Sequence, residues 1–147
     1  SAESLLRDQT TRSFANGILW QADPDCILLR DRFHELSDIE VDSLARFAGL
    51  AGGVLMTSDH LGELSPARKA LLRELLADGK ARPCDFPRLG AAIGRPDPDL
   101  IVQRVRGAPG GELVSLFNAS DHPFEGTVLG AGTVSLRPHE TSTRPRP

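Results

Sequence analysis

The hydrophobic pattern of this chain changes once, near Pro83, and that change limits the fold more than any other feature. Up to about Ala77, helical stretches alternate with short apolar runs, the order typical of βα units in a parallel sheet. After Pro83 the runs are β-prone and separated by Gly, Asn, Asp or Pro at hairpin spacing: LIVQRVRG, GELVSLFNAS, FEGTVLG and GTVSLRP. The sequence therefore predicts an α/β part followed by a small antiparallel, β-sandwich-like part.

The same change sets the predicted domain limits. With 147 residues, of which 39% are hydrophobic and 25% charged, the chain has the composition of one globular domain or two small ones. The segment ARPCDFPRLGAAIGRPDPD is rich in Pro and Gly, as is typical of a linker or an irregular edge. We predict a first region at 1–80, a linker at 81–99 and an antiparallel β-domain at 100–147.

Two helices of the first region carry their own start signals. Ser37 and Glu40 stand at capping-box spacing, so a helix is expected to begin there and to end at Gly52 or Gly53. A second helix is expected from Pro66, with Ser65 as its N-cap. Between them, GVLMTSD predicts a buried strand that ends at an aspartate, and 1–16 is a weaker helical candidate.

Charge and hydropathy argue against nucleic acid and membrane partners. The 17 basic and 20 acidic residues are scattered and give a net charge of -3, so no electrostatic footprint for nucleic acid or an anionic membrane exists. The apolar stretches are interrupted well before the ~20 residues that a membrane span needs. The first residues carry Glu and Asp, so no signal peptide is expected.

The sequence predicts neither a metal nor a cofactor. GLAGG lacks the trailing glycine and the preceding strand of a nucleotide-binding loop. Cys26 and Cys84 are far apart, which favours reduced thiols and a cytoplasmic location, although one disulfide between them is an alternative. The histidines show no metal-ligand spacing and pair with neither cysteine: His34, His60, His122 and His139.

The segment ILWQADPDCILLRD, at 18–31, is the main candidate for a functional site. If Ile18–Trp20 ends a parallel strand, Asp23 and Asp25 lie at its carboxyl-terminal edge, where such folds bind ligands, and Asp59 ends the next strand at the same edge. Proline fixes one torsion between the two carboxylates, and the indole of Trp20 offers a flat apolar surface to a sugar. These features favour a sugar-binding loop.

Structural explanations of these residues remain open. The tripeptide DPD recurs at 97–99, where turn formation before a strand suffices, so turn formation is at least as good an account of the first copy. A single tryptophan is more often a core residue than a ligand platform, and Asp59 could be a helix N-cap or a turn residue.

Taken in order, three motifs carry a resemblance to a known family: W-x-x-DPDC-x-LLRD, LS-x-x-E and GLAGGVLMTSDHLGELSPARKALLRELL. Together they resemble the last quarter of the catalytic barrel of α-galactosidases, the melibiase clan of glycoside hydrolases. The match covers Arg12 to Leu76 with specific motifs, and the β-rich remainder resembles the clan's C-terminal β-domain more loosely. The resemblance implies that 1–80 is the end of a (β/α)8 barrel, about two βα units of it.

The resemblance also implies roles for individual residues. Trp20 and Asp25 correspond to residues at the mouth of the barrel near the galactose site, Cys26 lines that pocket, and Asp23 supports the loop. Asp59 corresponds to the aspartate that closes the last barrel strand, with a structural or pocket-edge role. One departure is Ala22, because members of the clan often have Asn before DPD.

No catalytic residue is expected within this chain. Members of the clan retain the anomeric configuration by means of two aspartates whose carboxyl groups are ~5 Å apart, and both come from barrel strands that precede the W-x-x-DPD motif. Neither motif occurs in 1–17. Asp25 and Asp59 are not expected to replace them, because no sequence feature raises the pKa of either carboxyl as a general acid requires.

Two functions are therefore open. The chain is either the C-terminal portion of an α-galactosidase-like hydrolase, inactive alone and acting on an α-galactoside within the parent enzyme, or a non-catalytic β-module with a structural or weak carbohydrate-binding role. Exposed sheet edges and apolar helix stripes favour association. We expect the isolated chain to dimerise, to swap elements, or to pack its helices on its own β-strands.

Overall fold

The computed structural model describes residues 2–78, 83–87, 99–108, 110–128 and 130–146, so most of the predicted linker lies outside the described residues. The helical elements are α1 (Ala2–Arg12), a 3₁₀ turn (Ser13–Ala15), α2 (Asp38–Gly49) and α3 (Pro66–Asp78). The strands are β1 (Cys26–Ile27), β2 (Met56–Thr57), β3 (Cys84–Asp85), β4 (Leu100–Ala108), β5 (Gly111–Asn118), β6 (Phe124–Val128), β7 (Gly132–Leu136) and β8 (Thr141–Pro145).

The predicted helix starts are confirmed. The Ser37 N–H donates to Glu40 Oε2 at 2.8 Å, and the Glu40 N–H donates to Ser37 Oγ at 3.3 Å, which completes the capping box. The Ser37 hydroxyl also donates to Glu40 Oε2 at 2.7 Å, and this bond, together with the one from the Ser37 N–H, lowers the pKa of the Glu40 carboxyl. At α3, the Arg68 N–H donates to Ser65 Oγ at 3.2 Å. Helix α2 ends at Gly49, earlier than predicted, because the chain closes in a tight turn before Gly52 adopts a φ of +74°.

The expected strand at Ile18–Trp20 is wrong. The N–H groups of Ile18, Leu19 and Trp20 all donate to the carbonyl of Ala15, so this segment is a compact turn rather than a strand. The parallel pairing begins later, at Cys26 opposite Met56 and Ile27 opposite Thr57. Only Met56 and Thr57 of the expected GVLMTSD strand are paired, and Met56 is 40% exposed rather than buried.

The predicted antiparallel part is confirmed and is larger than expected. Strands β3, β4, β5 and β8 form one sheet in that order, and β6 pairs with β7 in a separate hairpin. Strand β8 was not predicted, and β3 lies inside the predicted linker and pairs with β4. The described residues combine helices and antiparallel sheets with one parallel pair and contain no closed barrel.

The four-stranded sheet lies between two other layers. Because side chains alternate along a strand, Leu100 and Val102 of β4 face the β6–β7 hairpin, whereas Ile101 and Val105 face the helices. Gln103, on the helix side, donates from Nε2 to the carbonyl of Phe47 at 3.1 Å. The helices therefore pack on the chain's own β-strands, as one of the three expected outcomes, and share a core with them.

An ion-pair cluster fixes β3 to β4. Arg104 donates from Nε and Nη2 to the two carboxylate oxygens of Asp85 at 2.8 and 2.9 Å, and Arg106 also contacts Asp85. These arginines lower the pKa of the Asp85 carboxyl. Cys84, beside Asp85, is a free thiol whose pKa burial raises to about 12. No helix in the described parts of the chain is long and apolar enough to cross a membrane.

Candidate functional site

The DPD segment holds its own carboxylates in place. The Asp25 N–H donates to Asp23 Oδ1 at 2.9 Å, and the Cys26 N–H donates to Asp25 Oδ1 at 2.6 Å. Asp25 has a φ of 68°, in the left-handed region that few residues other than glycine occupy. Each of these bonds uses one oxygen of an exposed carboxylate, so the other oxygen can accept a hydrogen bond from a ligand hydroxyl group. In the second DPD copy, residues 97 and 98 lie outside the described residues.

Asn16, which the sequence pattern did not predict as a site residue, fixes the entry to this segment. Its Oδ1 accepts the Ala22 N–H at 2.8 Å, and its Nδ2 donates to the carbonyl of Ala51 at 3.1 Å. The Val54 N–H donates to the carbonyl of Ala22 at 2.8 Å, so the same stretch is tied to the chain after α2. An Asn–Gly pair after a helix indicates a turn, and no local signal indicates a bond across thirty-five positions of sequence.

Gly53 allows the close approach of these two stretches. A Cβ placed on Gly53 would lie 2.2 Å from the carbonyl oxygen of Ala22, a main-chain atom that cannot rotate away. The approach therefore requires glycine at this position for steric reasons, rather than for a left-handed φ.

We expect Gly53→Ala to lower the free energy of unfolding by about 2 kcal/mol, because either the Ala22–Val54 bond or the backbone must shift. Urea denaturation followed by circular dichroism measures this loss. Gly62→Ala is the matched control, because its Cβ would meet only the far end of the exposed His60 ring, at 2.9 Å. Equal stability of the two variants would contradict the proposed constraint.

The four predicted site residues line one cleft of about 600 Å³. Trp20 is 48% exposed, so its indole is accessible rather than part of the core. Helix α1, which was predicted only as a weaker helical candidate with no role in a site, also lines the cleft. The polar residues that α1 adds to the lining are Asp8, Gln9 and Arg12.

This lining suits a small polyhydroxylated ligand. The volume lies within the ~300–1,000 Å³ of typical ligand pockets. Carboxylates at Asp23 and Asp25 accept hydrogen bonds from hydroxyl groups, Arg12 donates them, and Trp20 offers an apolar face. Cys26 is a half-buried free thiol in the lining of the cleft. Among the described residues, no group of three His, Cys, Asp or Glu side chains could hold a metal ion.

Asp59 lies apart from this cleft, so the expectation that it shares an edge with Asp25 is wrong. Asp25 precedes β1, whereas Asp59 follows β2, and the two strands run parallel. The Asp59 side chain is fully buried, and its Oδ2 accepts the Leu29 N–H at 2.5 Å and the Thr57 hydroxyl at 3.0 Å. Arg30 Nη1 lies 3.4 Å from Oδ1.

The register also separates the two carboxylates. Asp59 bonds to Leu29, and from Asp25 to Leu29 the chain advances four residues, on the order of 13 Å along a strand. A retaining pair of carboxyl groups stands ~5 Å apart. Asp25 and Asp59 therefore cannot act together on one glycosidic bond.

The fold resembles that of solved sugar hydrolases. No family model matches the chain. A GH27 β-L-arabinopyranosidase from Geobacillus stearothermophilus superposes with a TM-score of 0.71 at 18% identity, over 96% of this chain and 41% of that one; a variant of it was solved in complex with arabinose. The α-galactosidase I of Mortierella vinacea gives a TM-score of 0.71 at 12% identity, over 97% of this chain and 43% of that one.

The present chain thus spans about two-fifths of the length of each of these structures. Sequence identity is low, so the likeness concerns the fold. Over nearly its whole length, this chain has the fold of part of a GH27 glycoside hydrolase.

Proposed function

We propose that this chain forms the C-terminal portion of an α-galactosidase-like glycoside hydrolase and supplies one wall of its sugar pocket. The observation that carries the proposal is the placement of Trp20, Asp23, Asp25 and Cys26 on one cleft. Trp20 lies in a turn and Cys26 in a strand, so two different elements contribute to the same cleft. Such sites combine an apolar face with a few fixed polar groups.

Each residue has a role in this proposal. The Trp20 indole packs on the C–H face of the sugar, and the Asp25 carboxylate accepts hydrogen bonds from sugar hydroxyls. Asp23 holds the Asp25 backbone in its left-handed conformation through the 2.9 Å bond to the Asp25 N–H. Cys26 contributes a small apolar group to the pocket lining.

The fold assignment behind this proposal is a fragment of a (β/α)8 barrel followed by a β-domain. The parallel β1–β2 pair with α2 and α3 supports about two βα units at 1–80, and the antiparallel strands support a β-domain at 100–147. The catalytic carboxylates are then outside this chain. We expect the chain alone not to hydrolyse a chromogenic α-galactoside. Hydrolysis would contradict this placement and would make Asp23 and Asp25 candidate catalytic residues.

The substrate class in this proposal is sugars with the galacto arrangement of hydroxyl groups. One structural neighbour is named for galactose and another for arabinose. L-Arabinopyranose matches galactopyranose at C2, C3 and C4 and lacks the C6 group, so a pocket wall that recognises ring hydroxyls would accept both. Glucose, the C4 epimer, should bind more weakly. A panel of the three methyl glycosides tests this ranking.

We expect Asp25→Asn to weaken methyl α-galactoside binding at least about tenfold, because a hydrogen bond to a charged acceptor contributes about 1.5–3 kcal/mol. Ligand-detected NMR titration of the full chain measures the affinity. Asp121→Asn is the control, since its side chain is 88% exposed and lies outside the cleft. Wild-type affinity in a folded Asp25→Asn variant would contradict the proposed role.

The alternative is a non-catalytic β-module. It is favoured by one observation, which is that β4, β5 and the β6–β7 hairpin enclose a hydrophobic core of their own around Leu100, Val102 and Leu116. In that case, sugar binding would be absent or insensitive to Asp25→Asn. The same titration therefore separates the two functions.

A further inference from the structure

His34 uses both ring nitrogens inside the connection between β1 and α2. Its Nε2 lies 2.6 Å from the carbonyl oxygen of Arg30, and its Nδ1 accepts the Leu36 N–H at 3.2 Å. A backbone N–H only donates and a carbonyl oxygen only accepts, so these partners assign the tautomer: Nε2 carries the proton and Nδ1 carries none. We call residues 30–36 the His34 loop. Its closed form therefore requires a neutral imidazole.

The His34 loop holds one residue in an unfavourable conformation. Phe33 has a φ of 65°, in the left-handed region that large side chains rarely adopt. Such a conformation persists only where the surrounding contacts enforce it. Those contacts are the two His34 bonds, which join the chain before and after Phe33, and the Arg32 guanidinium, 5.1 Å from the centroid of the Phe33 ring. Loss of one His34 bond therefore favours a different loop conformation.

The charged groups around the loop are already paired with one another. Three loop residues form ion pairs with the chain after β2 or with α3: Arg30 with Asp59, Arg32 with Glu63, and Asp31 with Arg68, which also pairs with Asp38 of α2. Glu35, the remaining charged residue of the loop, is exposed. Among the described residues, no carboxylate forms an ion pair with His34. No ion pair therefore offsets the bond that a charged ring would lose.

We propose that the His34 loop is a pH-sensitive switch, closed by neutral His34 and opened by its protonation. The added proton binds Nδ1, where it faces the Leu36 N–H, so two donors meet and the bond is lost. Histidine side chains take up a proton between about pH 8 and pH 5. Because the open loop binds this proton and the closed loop does not, the closed form becomes less stable as the pH falls.

Opening of the loop changes a second cleft, of about 470 Å³, at the carboxyl ends of β1 and β2. Arg30, Arg32 and Phe33 line this cleft and all belong to the His34 loop. Asp25 lies at the opposite end of the strand pair, so the switch does not depend on the proposed sugar site. Both partners of the His34 ring are loop residues, so the switch acts within this chain.

NMR titration of the full chain between about pH 8 and pH 5 tests the switch. At the upper limit, the ring nitrogen shifts of His34 should show the Nε2–H tautomer. The Leu36 amide signal should move together with the His34 ring signals. Its protection factor against hydrogen exchange should fall roughly fivefold, since one neutral hydrogen bond changes an equilibrium constant about two- to tenfold. Circular dichroism should stay constant over this range.

His34→Asn separates the ring proton from the geometry of the loop. The asparagine Oδ1 can accept the Leu36 N–H and takes up no proton, so the loop should stay closed throughout the titration. His34→Ala removes both bonds and should leave the Leu36 amide unprotected at every pH. His122→Asn is the matched control, because it removes an exposed histidine of the β5–β6 connection and should leave the Leu36 response unchanged.

The outcomes are distinct. The inference is overturned by an Nδ1–H tautomer at the upper limit, by a Leu36 amide that does not follow the His34 ring, or by a response that His34→Asn retains. Loss of the Leu36 signal only when the whole chain unfolds, as circular dichroism would show, also excludes a local switch. A response that His34→Asn abolishes and His122→Asn leaves unchanged supports it.

Discussion

Phe47→Ala is expected to lower the free energy of unfolding by about 4 kcal/mol, the largest loss from a single core substitution that this fold predicts. Phe47 is 2% exposed and lies on the face of α2 that contacts the sheet. Its ring centroid is 5.7 Å from that of Phe86 and 6.3 Å from that of Phe117, both in tilted arrangements. Truncation leaves a cavity at the contact between the helices and β5.

The shape of the unfolding transition is as informative as its midpoint. Since the two regions share the Phe47 cluster, urea denaturation should stay a single transition that moves to lower concentration in the variant. Phe33→Ala, at an 81% exposed position, is the control and should cost no more than about 1 kcal/mol. A second transition that Phe47→Ala leaves unmoved would mean that the β-strands fold independently of the helices.

Local signals in the sequence predicted the local parts of this fold. The capping box at Ser37 and the Ser65–Pro66 start satisfy backbone groups within one helical turn, so a few letters suffice to specify them. The hairpin runs were predictable for the same reason, because alternation and turn residues act between near neighbours. Strand β8 was not predicted, because TSTRP has few apolar residues and forms an edge strand that is only half-buried.

The parts that failed depend on contacts between distant residues. Trp20 ends an apolar run. Nothing within that run shows that three of its N–H groups donate to the carbonyl of Ala15 and that the segment is therefore a turn. The register of β1 and β2 depends on both strands at once, so the sequence could not show that Asp25 and Asp59 lie at opposite ends of the pair. The contribution of α1 to the cleft likewise depends on tertiary contacts, which the local sequence does not reveal.

Three of the predicted site residues share the cleft for a simple reason. Asp23, Asp25 and Cys26 are neighbours in sequence, so any fold that exposes one of them near a cleft brings the others close. The Trp20 indole beside two carboxylates already favoured a sugar-binding loop, and the resemblance to α-galactosidases indicated which class of sugar to expect. It did not supply Asn16, whose two bonds hold the segment in place through its side chain.

Asp59→Ala is expected to cost about 3 kcal/mol of stability, while sugar affinity changes little. Its buried carboxylate accepts the Leu29 N–H and the Thr57 hydroxyl and lies against Arg30. Removal leaves a buried N–H unsatisfied and a partly buried guanidinium without its partner, and each is costly in a low-dielectric interior. The Leu29 bond also joins the chain after β1 to the chain after β2.

Two further variants separate structure from function at this position. Asp42→Ala, which removes a partly exposed carboxylate that pairs with Arg46 at 2.9 Å, should cost only about 0.5 kcal/mol. Arg30→Met combined with Asp59→Ala should recover part of the lost stability, because the unpaired charge is gone. If instead Asp59→Ala were as stable as Asp42→Ala and abolished galactoside binding, Asp59 would belong to the pocket and the structural role argued from its buried bonds would be wrong.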